Sequence, residues 1–157
     1  MPQRFKDAMR ELAGAVTIIT AGTGADAAGL TATAVCSLSM EPPRLLVCIN
    51  RSGATFAALL ASGEFCVNVL DAKQESLAVE FAGRTGKSGA DKFAGAEWER
   101  SEAAPPRHLG ALAAVHCRVH TMTIVGTHAI VIGDVVQTHL GDPGAALIYR
   151  DQRFLSA

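Results

Sequence analysis

The sequence predicts an antiparallel β-barrel, because apolar and β-branched runs follow one another with only short helical segments between them. Such runs occupy residues 15–21, 29–40, 44–50, 64–70, 110–140 and 145–150. The chain also has no internal repeat, and no G-x-G-x-x-G sequence follows a strand, as it would in a dinucleotide-binding parallel sheet. A doubly wound parallel sheet is therefore the less favoured architecture.

Short helices are predicted at the start of the chain and between the strands. The first dozen residues place Phe5, Met9 and Leu12 on one face of an amphipathic helix that ends by Gly14. A second helix follows residues 51–55 and ends near Gly63. A third covers residues 74–83, where a leucine and a phenylalanine four residues apart share a face. Residues 84–107 are rich in glycine, proline and polar side chains, and predict a long excursion anchored by Phe93 and Trp98.

Composition limits the class of protein. The chain has 157 residues, is 49% hydrophobic and carries a net charge of −1, which predicts a single domain, residues 1–157, with an ordinary core. Without clustered Lys and Arg we expect no nucleic acid partner, and without about 18 consecutive apolar residues no membrane span. The four cysteines are widely spaced, which favours free thiols and a cytoplasmic location.

A metal site at His116, Cys117 and His120 is not predicted. On a strand His116 and His120 point the same way but lie about 13 Å apart, whereas zinc needs ligand atoms about 2 Å away. Polar residues on the outer side of a strand are the simpler interpretation. No Ser–His–Asp or Cys–His motif stands out either, and cysteines within apolar strands, such as Cys48, are usually inert. A cofactor that performs its own redox chemistry would need no such groups.

Two segments could hold a ligand. Thr31, Thr33, Ser37 and Ser39 are spaced by two and would place hydroxyls on one face of the strand over residues 29–40, although threonine is also simply a good strand former. Further along, Ser52 is a candidate N-cap whose helix start would bind an anion, with Arg51 adding charge and Thr55 a hydroxyl. An ordinary capped helix explains the same residues. Together the segments suggest a phosphate-bearing ligand without identifying it, and His128, Tyr149 and Arg150 remain open.

Read in order, the segments resemble the flavin reductase-like proteins with an FMN-binding split barrel, which include the small reductase components of two-component aromatic hydroxylases. The matching stretches are FKDAMRELAGAVTIIT, GLTATAVCSLSMEPPRLLVCIN, the S-x-x-T of Ser52 and Thr55, EFCVNVLDAKQESLAVEFAG, KFAGAEW, GALAAVHCRV and THAIVIGDV. The resemblance implies a mainly β, six-stranded antiparallel Greek-key split barrel with a few short flanking helices. It also implies a homodimer with the flavin at the barrel edge near the dimer interface.

The implied activity is hydride transfer from NADH or NADPH to FMN or FAD, with the reduced flavin passing to a separate monooxygenase. By resemblance, Thr31, Ala32, Thr33, Ala34 and Ser37 line the flavin ring and ribityl chain. Asn50, Ser52 and Thr55 grip the phosphate, Phe81 and Arg84 close the phosphate and ribityl side, His128 lies near the nicotinamide, and Tyr149 near the nicotinamide or the flavin ring. No metal is implied.

The sequence departs from the family at two places. Thr127 stands where an aspartate often precedes the histidine, and Asp151 and Gln152 stand where a glycine usually follows the tyrosine. Three alternatives remain: an oxidase related to pyridoxamine phosphate oxidase, which sparse Arg and Lys in the barrel segments disfavour; a non-catalytic flavin carrier or sensor; and a structural barrel. The preferred flavin and nicotinamide nucleotide are open.

Overall fold

The computed structural model describes residues 1–95 and 97–157 and shows a mainly β protein. The helices within these residues are α1 Pro2–Arg10, α2 Ala54–Ser62 and α3 Glu75–Phe81, with 3₁₀ turns at Gly24–Asp26, Ala72–Gln74 and Gly89–Phe93. The strands are β1 Gly14–Ala15, β2 Thr17–Ala21, β3 Ala28–Ala32, β4 Val35–Met40, β5 Pro43–Asn50, β6 Glu64–Val69, β7 Trp98–Glu99, β8 Arg107–His108, β9 Ala113–Val125, β10 His128–Leu140, β11 Leu147–Arg150 and β12 Arg153–Ser156. Among the described residues, every helix is too short or too polar to cross a membrane.

The main sheet closes through a bend in one stretch of chain. Its order is β3-β2-β6-β9-β10-β5-β4, with every neighbouring pair antiparallel. The two outer strands, β3 and β4, are halves of one stretch separated only by Thr33 and Ala34, which we call the kink. β3 pairs with β2, and β4 pairs with β5. The residues predicted as a single strand, 29–40, therefore form both outer edges of the main sheet. This architecture confirms the predicted antiparallel barrel of six strands, because β3 and β4 count as one.

The barrel interior is the first of two cores. Val47, Ile49, Phe65 and Val131 are completely buried there, and Leu59 of α2 packs against them. Because strand residues alternate between faces, β5 places every second side chain inside. This core holds in place the main sheet, whose outer strands β3 and β4 are connected by the kink.

The second core lies outside the barrel, beneath α3. Val16, Leu77 and Phe81 are buried in it together with Phe93. The Phe93 ring lies 4.8 Å from that of Trp98, centroid to centroid, in an edge-to-face arrangement. Phe93 and Trp98 therefore anchor the excursion, as predicted from the sequence, whereas Ala96 lies outside the described residues.

The end of the chain forms a small separate sheet in the order β1-β11-β12. Tyr149 and Phe154 are directly opposite each other on the β11–β12 hairpin. Asp151 and Gln152 form its turn with φ values of 49° and 61°, a left-handed conformation that favours glycine. The glycine that the family usually has after the tyrosine is therefore missing at a turn whose backbone conformation suits glycine better than aspartate or glutamine.

Replacing Gln152 by glycine is expected to stabilise the protein. A non-glycine residue in the left-handed region costs about 1–3 kcal/mol, and the greater flexibility of glycine in the unfolded chain offsets part of that gain. We expect a net gain of about 1 kcal/mol, or a rise in melting temperature of about 2–4 °C. Differential scanning calorimetry measures it. Arg153→Gly, in β12, is the control and should lower the melting temperature. A lowered value for Gln152→Gly would contradict the prediction.

Helix α1 differs from its neighbours because none of its side chains is buried. Its apolar residues Phe5 and Met9, together with Leu12 beyond its end, are exposed on one side. The amphipathic pattern is therefore present as predicted, but its apolar face lies uncovered in the described chain.

The buried cysteines are held as thiols. Burial raises the pKa of Cys66 and of Cys117 to about 12. Both groups are therefore neutral at physiological pH and have little nucleophilic character. All four cysteines are free, and Cys36 is exposed.

Candidate functional site

The first cavity lies beside the kink. Its volume is 200 Å³, and we call it the kink cavity. It is lined by Val16, Thr31, Ala32, Thr33, Ala82, Arg84, Tyr149 and Phe154. Its walls are mostly apolar, and Arg84 supplies the one formal charge among these lining residues. An aromatic ring system with a polar or anionic substituent fits this lining.

The walls of the kink cavity come from different parts of the chain. Thr31 Oγ1 donates a hydrogen bond of 2.6 Å to the Ala78 carbonyl oxygen, which ties β3 to α3. On the opposite wall, the Tyr149 and Phe154 rings have centroids 5.1 Å apart and are tilted by 60°. The structure thus brings the predicted residues Thr31, Ala32 and Thr33 together with Tyr149. Phe154 was not among the predicted site residues.

The predicted single row of hydroxyls is wrong. The kink separates Thr31 and Thr33 from Ser37, and the pairing of β4 with β5 shifts register between Ser37 and Ser39. Ser39 Oγ instead donates to the Pro42 carbonyl oxygen. Ser37 is exposed on β4 and does not line the kink cavity.

Phe81 and Arg84 separate in the structure. Arg84 lines the kink cavity, as a ligand-binding residue could. Phe81 is only 1% exposed and packs in the second core against Phe93 and Trp98. Phe81 was expected to close the phosphate and ribityl side of the flavin site, but it is a core residue that supports α3 from behind.

A second cavity, of 430 Å³, lies where β5 ends and α2 begins; we call it the loop cavity. Its lining is Asn50, Arg51, Ser52, Phe56, Gly126 and Thr127. Asn50 Oδ1 accepts hydrogen bonds from the Ser52 backbone N–H, at 2.9 Å, and from Ser52 Oγ, at 2.7 Å. Arg51 donates to two carbonyl oxygens of the β9–β10 turn, from its backbone N–H to Thr127 and from its side chain to Gly126. These bonds fix the loop.

The start of α2 is open to an anion. Its N-cap is Gly53, not Ser52 as predicted, and no side chain caps it. The first N–H groups of a helix lack intrahelical acceptors and carry partial positive charge. With the Arg51 guanidinium beside them, they form a fitting site for phosphate. Thr55 lies in this first turn, but the residue is only 3% exposed, so its hydroxyl is not displayed at the surface as predicted.

One hydrogen bond joins the two chain segments that carry the cavities. The Cys48 backbone N–H donates to the Ala34 carbonyl oxygen at 3.0 Å, and we call this contact the seam. It joins the kink to β5 two residues before Asn50. The predicted hydroxyl-bearing strand and capped turn therefore meet, although the described lining residues of the two cavities do not overlap. A ring-sized apolar cavity on one side and an anion site on the other fit a flavin mononucleotide.

His128 lies on the side of the loop cavity. It begins β10, opposite Asn50 in register, and is exposed. Its Nδ1 is 2.8 Å from Thr127 Oγ1. Thr127 therefore supplies the hydrogen bond that an aspartate at this position would otherwise offer to the ring. Tyr149, by contrast, belongs to the kink cavity.

The histidines of β9 are engaged with carboxylates on neighbouring strands. His116 Nε2 lies 2.8 Å from Glu64, and His120 Nδ1 lies 3.2 Å from Asp134. Asp134 also accepts a hydrogen bond from Arg44, and this contact holds the pKa of its carboxyl below the usual range. The two histidines therefore belong to separate polar contacts on the outer side of the barrel.

Residues 9–157 match the family described as "Flavin reductase like domain". The chain belongs to the flavin reductase-like family. The family named from the sequence pattern is thereby confirmed, together with its split-barrel fold.

Individual flavin reductase relatives span nearly the whole chain. An FMN reductase (NADH) of Rhizobium rhizogenes is 41% identical over 97% of this chain and 87% of its own length. The reductase component of 4-hydroxyphenylacetate 3-monooxygenase of Escherichia coli is 39% identical over 96% and 89%. The solved flavin reductase component of a bacterial two-component tryptophan halogenase superposes with a TM-score of 0.89, at 29% identity over 99% and 98%. The predicted enzyme class, a reductase that uses a flavin and a nicotinamide nucleotide, agrees with these names.

Proposed function

We propose that this protein is an NAD(P)H:flavin oxidoreductase, which transfers a hydride from NADH or NADPH to FMN or FAD. The observation that carries the proposal is the pairing of an aromatic-walled cavity with an uncapped helix start across one seam. Membership of the flavin reductase-like family over residues 9–157 supports it. The proposal treats residues 1–157 as one domain.

Each side of the seam has its own task. A bound flavin supplies the hydride acceptor in its ring. Thr31, Ala32 and Thr33, with Tyr149 and Phe154, form the walls that place the ring and keep water from it, and Ala34 follows them in the kink. Arg51, Asn50, Ser52 and the first N–H groups of α2, including that of Thr55, hold the phosphate. Arg84 supplies positive charge beside the ring cavity, where reduction adds negative charge.

FMN and NADH are the proposed preferred pair. The proteins named FMN reductase (NADH) among the relatives support this choice. The loop cavity adds support, because it offers one cation, Arg51, and one helix start, which suits a single phosphate better than a pyrophosphate.

A turnover assay tests the proposal. Purified protein is mixed with NADH and excess FMN, and NADH absorbance is followed. Steady consumption of many equivalents of NADH per protein supports the reductase. Stoichiometric FMN binding without NADH consumption supports a flavin carrier or sensor instead, and absence of FMN binding supports a structural barrel.

His128 is proposed to contact the nicotinamide nucleotide. We expect His128→Ala to raise KM for NADH about three- to tenfold, because one hydrogen bond contributes about 0.5–1.5 kcal/mol. Steady-state kinetics at saturating FMN measures it, with His120→Ala, on the outer side of the barrel, as the control. Unchanged NADH kinetics in His128→Ala would remove this residue from the proposal.

A homodimer is part of the proposal, and the outer side of β5 and β10 supports it. Leu46 lies directly opposite Ile132, and Cys48 opposite Ile130. These four side chains are half-buried and point away from the barrel interior, since the alternate residues face inside. Strands that are apolar on both sides are typical of sheets covered on both sides. A second copy of the chain is the proposed cover.

Ile132→Asp is expected to convert a dimer into a monomer, because a charge would then be buried without a partner at the centre of this patch. Light scattering after size-exclusion chromatography measures the mass. Gln137→Asp, at an exposed position of the same strand, should leave the dimer intact. If the unaltered protein itself runs as a monomer, the dimer proposal is wrong.

The reduced flavin is proposed to pass to a separate monooxygenase. Names such as the reductase component of 4-hydroxyphenylacetate 3-monooxygenase support this partner class. A cytoplasmic location belongs to the same proposal and is supported by four free cysteines.

A further inference from the structure

We propose that the N-terminal segment, residues 1–15, positions both walls of the kink cavity from outside it. No residue of this fully described segment lines the cavity. The inference rests on the proposed function, since it takes the kink cavity as the place where the flavin ring binds. It assigns Gly14 and Glu11 as positioning residues that act through Thr33 and Tyr149.

Gly14 sets the position of the Thr33 wall. A Cβ at residue 14 would lie 2.9 Å from Thr33 Cβ and 3.4 Å from its Cγ2, so β1 can approach the kink this closely only because residue 14 has no side chain. The backbone of Gly14 has no positive φ, so close approach explains the glycine here, and conformation does not. A methyl group at this position would push Thr33 toward the cavity that it lines.

The same glycine is paired with the opposite wall. Gly14 lies directly opposite Tyr149 in the pairing of β1 with β11. Residue 14 therefore contacts both the Thr33 side chain and the strand that carries Tyr149. Packing at this one position therefore affects the placement of both walls.

The far end of the Tyr149 wall is held by the end of α1. The Asp151 backbone N–H donates to the Arg10 carbonyl oxygen at 2.9 Å. Arg150 Nε donates to the Glu11 carbonyl oxygen at 3.2 Å, and the Arg150 guanidinium also pairs with the Glu11 carboxylate. Arg150 thus grips Glu11 at two points, and we call this set of contacts the clamp.

The base of the hairpin is held independently of the clamp, because Leu147 is buried in the second core, donates its backbone N–H to the Leu70 carbonyl oxygen and accepts from the Val16 N–H. Within the described residues, β11 and β12 belong to no larger sheet than the one completed by the two residues of β1. Their turn adopts the left-handed conformation described above, which does not stabilise itself. The clamp therefore restrains the tip of the hairpin that carries Tyr149 and Phe154. Hydride transfer requires precise placement of the two reacting rings, so a small movement of this wall would change both flavin affinity and the rate of hydride transfer.

Two single variants and one double variant test the proposal in the full-length protein. In Glu11→Gln the clamp loses its ion pair, and we expect KM for FMN to rise about threefold with kcat within twofold. The charge exchange Glu11→Arg with Arg150→Glu restores an ion pair of reversed polarity but not the Arg150 hydrogen bond to the residue 11 carbonyl oxygen, so it should return KM at least half of the way to the original value. In Gly14→Ala we expect KM for FMN to rise about tenfold.

The controls separate positioning from stability. Gly95→Ala adds a methyl whose nearest neighbour is 3.8 Å away, and should change neither KM nor melting temperature. Glu99→Gln removes a comparable exposed ion pair, with Arg107, away from the hairpin. The proposal requires that Glu11→Gln keep a melting temperature within about 2 °C of the original. In a domain of this size, a loss of 1 kcal/mol of stability would lower the melting temperature by about 2–4 °C.

The outcomes are decisive in either direction. A raised KM in Glu11→Gln that the charge exchange reverses, at unchanged melting temperature, supports the clamp. An unchanged KM, or a raised KM that the exchange leaves unrepaired or that accompanies lower stability, overturns it. If the unaltered protein binds FMN but does not consume NADH, the proposed function fails. In that case the FMN dissociation constants of the same variants, from flavin fluorescence, decide the clamp by the same criteria. If no FMN binds, both proposals are wrong.

Discussion

Arg51→Ala is expected to weaken FMN binding by about ten- to a hundredfold and to leave riboflavin binding within twofold. Arg51 is the cation of the loop cavity, beside the uncapped start of α2. A hydrogen bond to a charged group contributes about 1.5–3 kcal/mol, which corresponds to this range of affinity. Riboflavin lacks the phosphate, so it reports on the ring cavity alone. Titration of flavin fluorescence measures both dissociation constants.

Arg118→Ala is the matched control for this experiment. Its side chain is 66% exposed on the outer side of the barrel, beside Glu64, and has no place in either cavity. It removes the same charge from the protein and should leave both affinities unchanged. Equal weakening of FMN and riboflavin in Arg51→Ala would show that Arg51 acts by holding the β9–β10 turn, through Gly126, and not by binding phosphate.

Gly133→Ala is expected to produce the largest loss of stability. Gly133 is buried on β10, where its added Cβ would lie 2.6 Å from Phe65 Cζ and 2.7 Å from Cys117 Cβ. Both neighbours belong to the closed interior of the barrel and cannot move freely. Overpacking of a core costs about 1–3 kcal/mol, so we expect the melting temperature to fall by about 2–12 °C.

A double variant identifies the cause of that loss. Phe65→Leu shortens the ring that collides with the new methyl group. In combination with Gly133→Ala it should cost less than the sum of the two single changes, because the sites are in contact. Calorimetry of the four proteins measures the coupling. Strict additivity would show that Gly133 is needed for backbone reasons and not for space.

The sequence predicted the strands and helices well where local pattern decides them, and failed where pairing decides them. Residues 29–40 have an unbroken strand pattern, and nothing local distinguishes Thr33 and Ala34 from their neighbours. The bend arises because β3 and β4 pair with different partners on different sides of the barrel. Register is a property of the whole sheet, so no window of the sequence contains it.

The site shows the same division. The loop of residues 50–55 was predicted because its residue types indicate a helix start, although the cap itself proved to be Gly53. Phe81 was misassigned because a phenylalanine near a helix end has the same local pattern whether it faces a core or a ligand. Phe154 was missed because only its position opposite Tyr149 brings it to the kink cavity.

The bend at Thr33 and Ala34 couples the crevice where a ligand would bind to the closure of the main sheet. β3 and β4, on either side of the bend, form the two margins of the cylinder. The crevice and the closure of the cylinder therefore depend on the same short backbone segment. Widening the crevice would also strain the pairing of β3 with β2 and of β4 with β5. A ligand bound there would accordingly stabilise the closure of the cylinder as well as its own crevice.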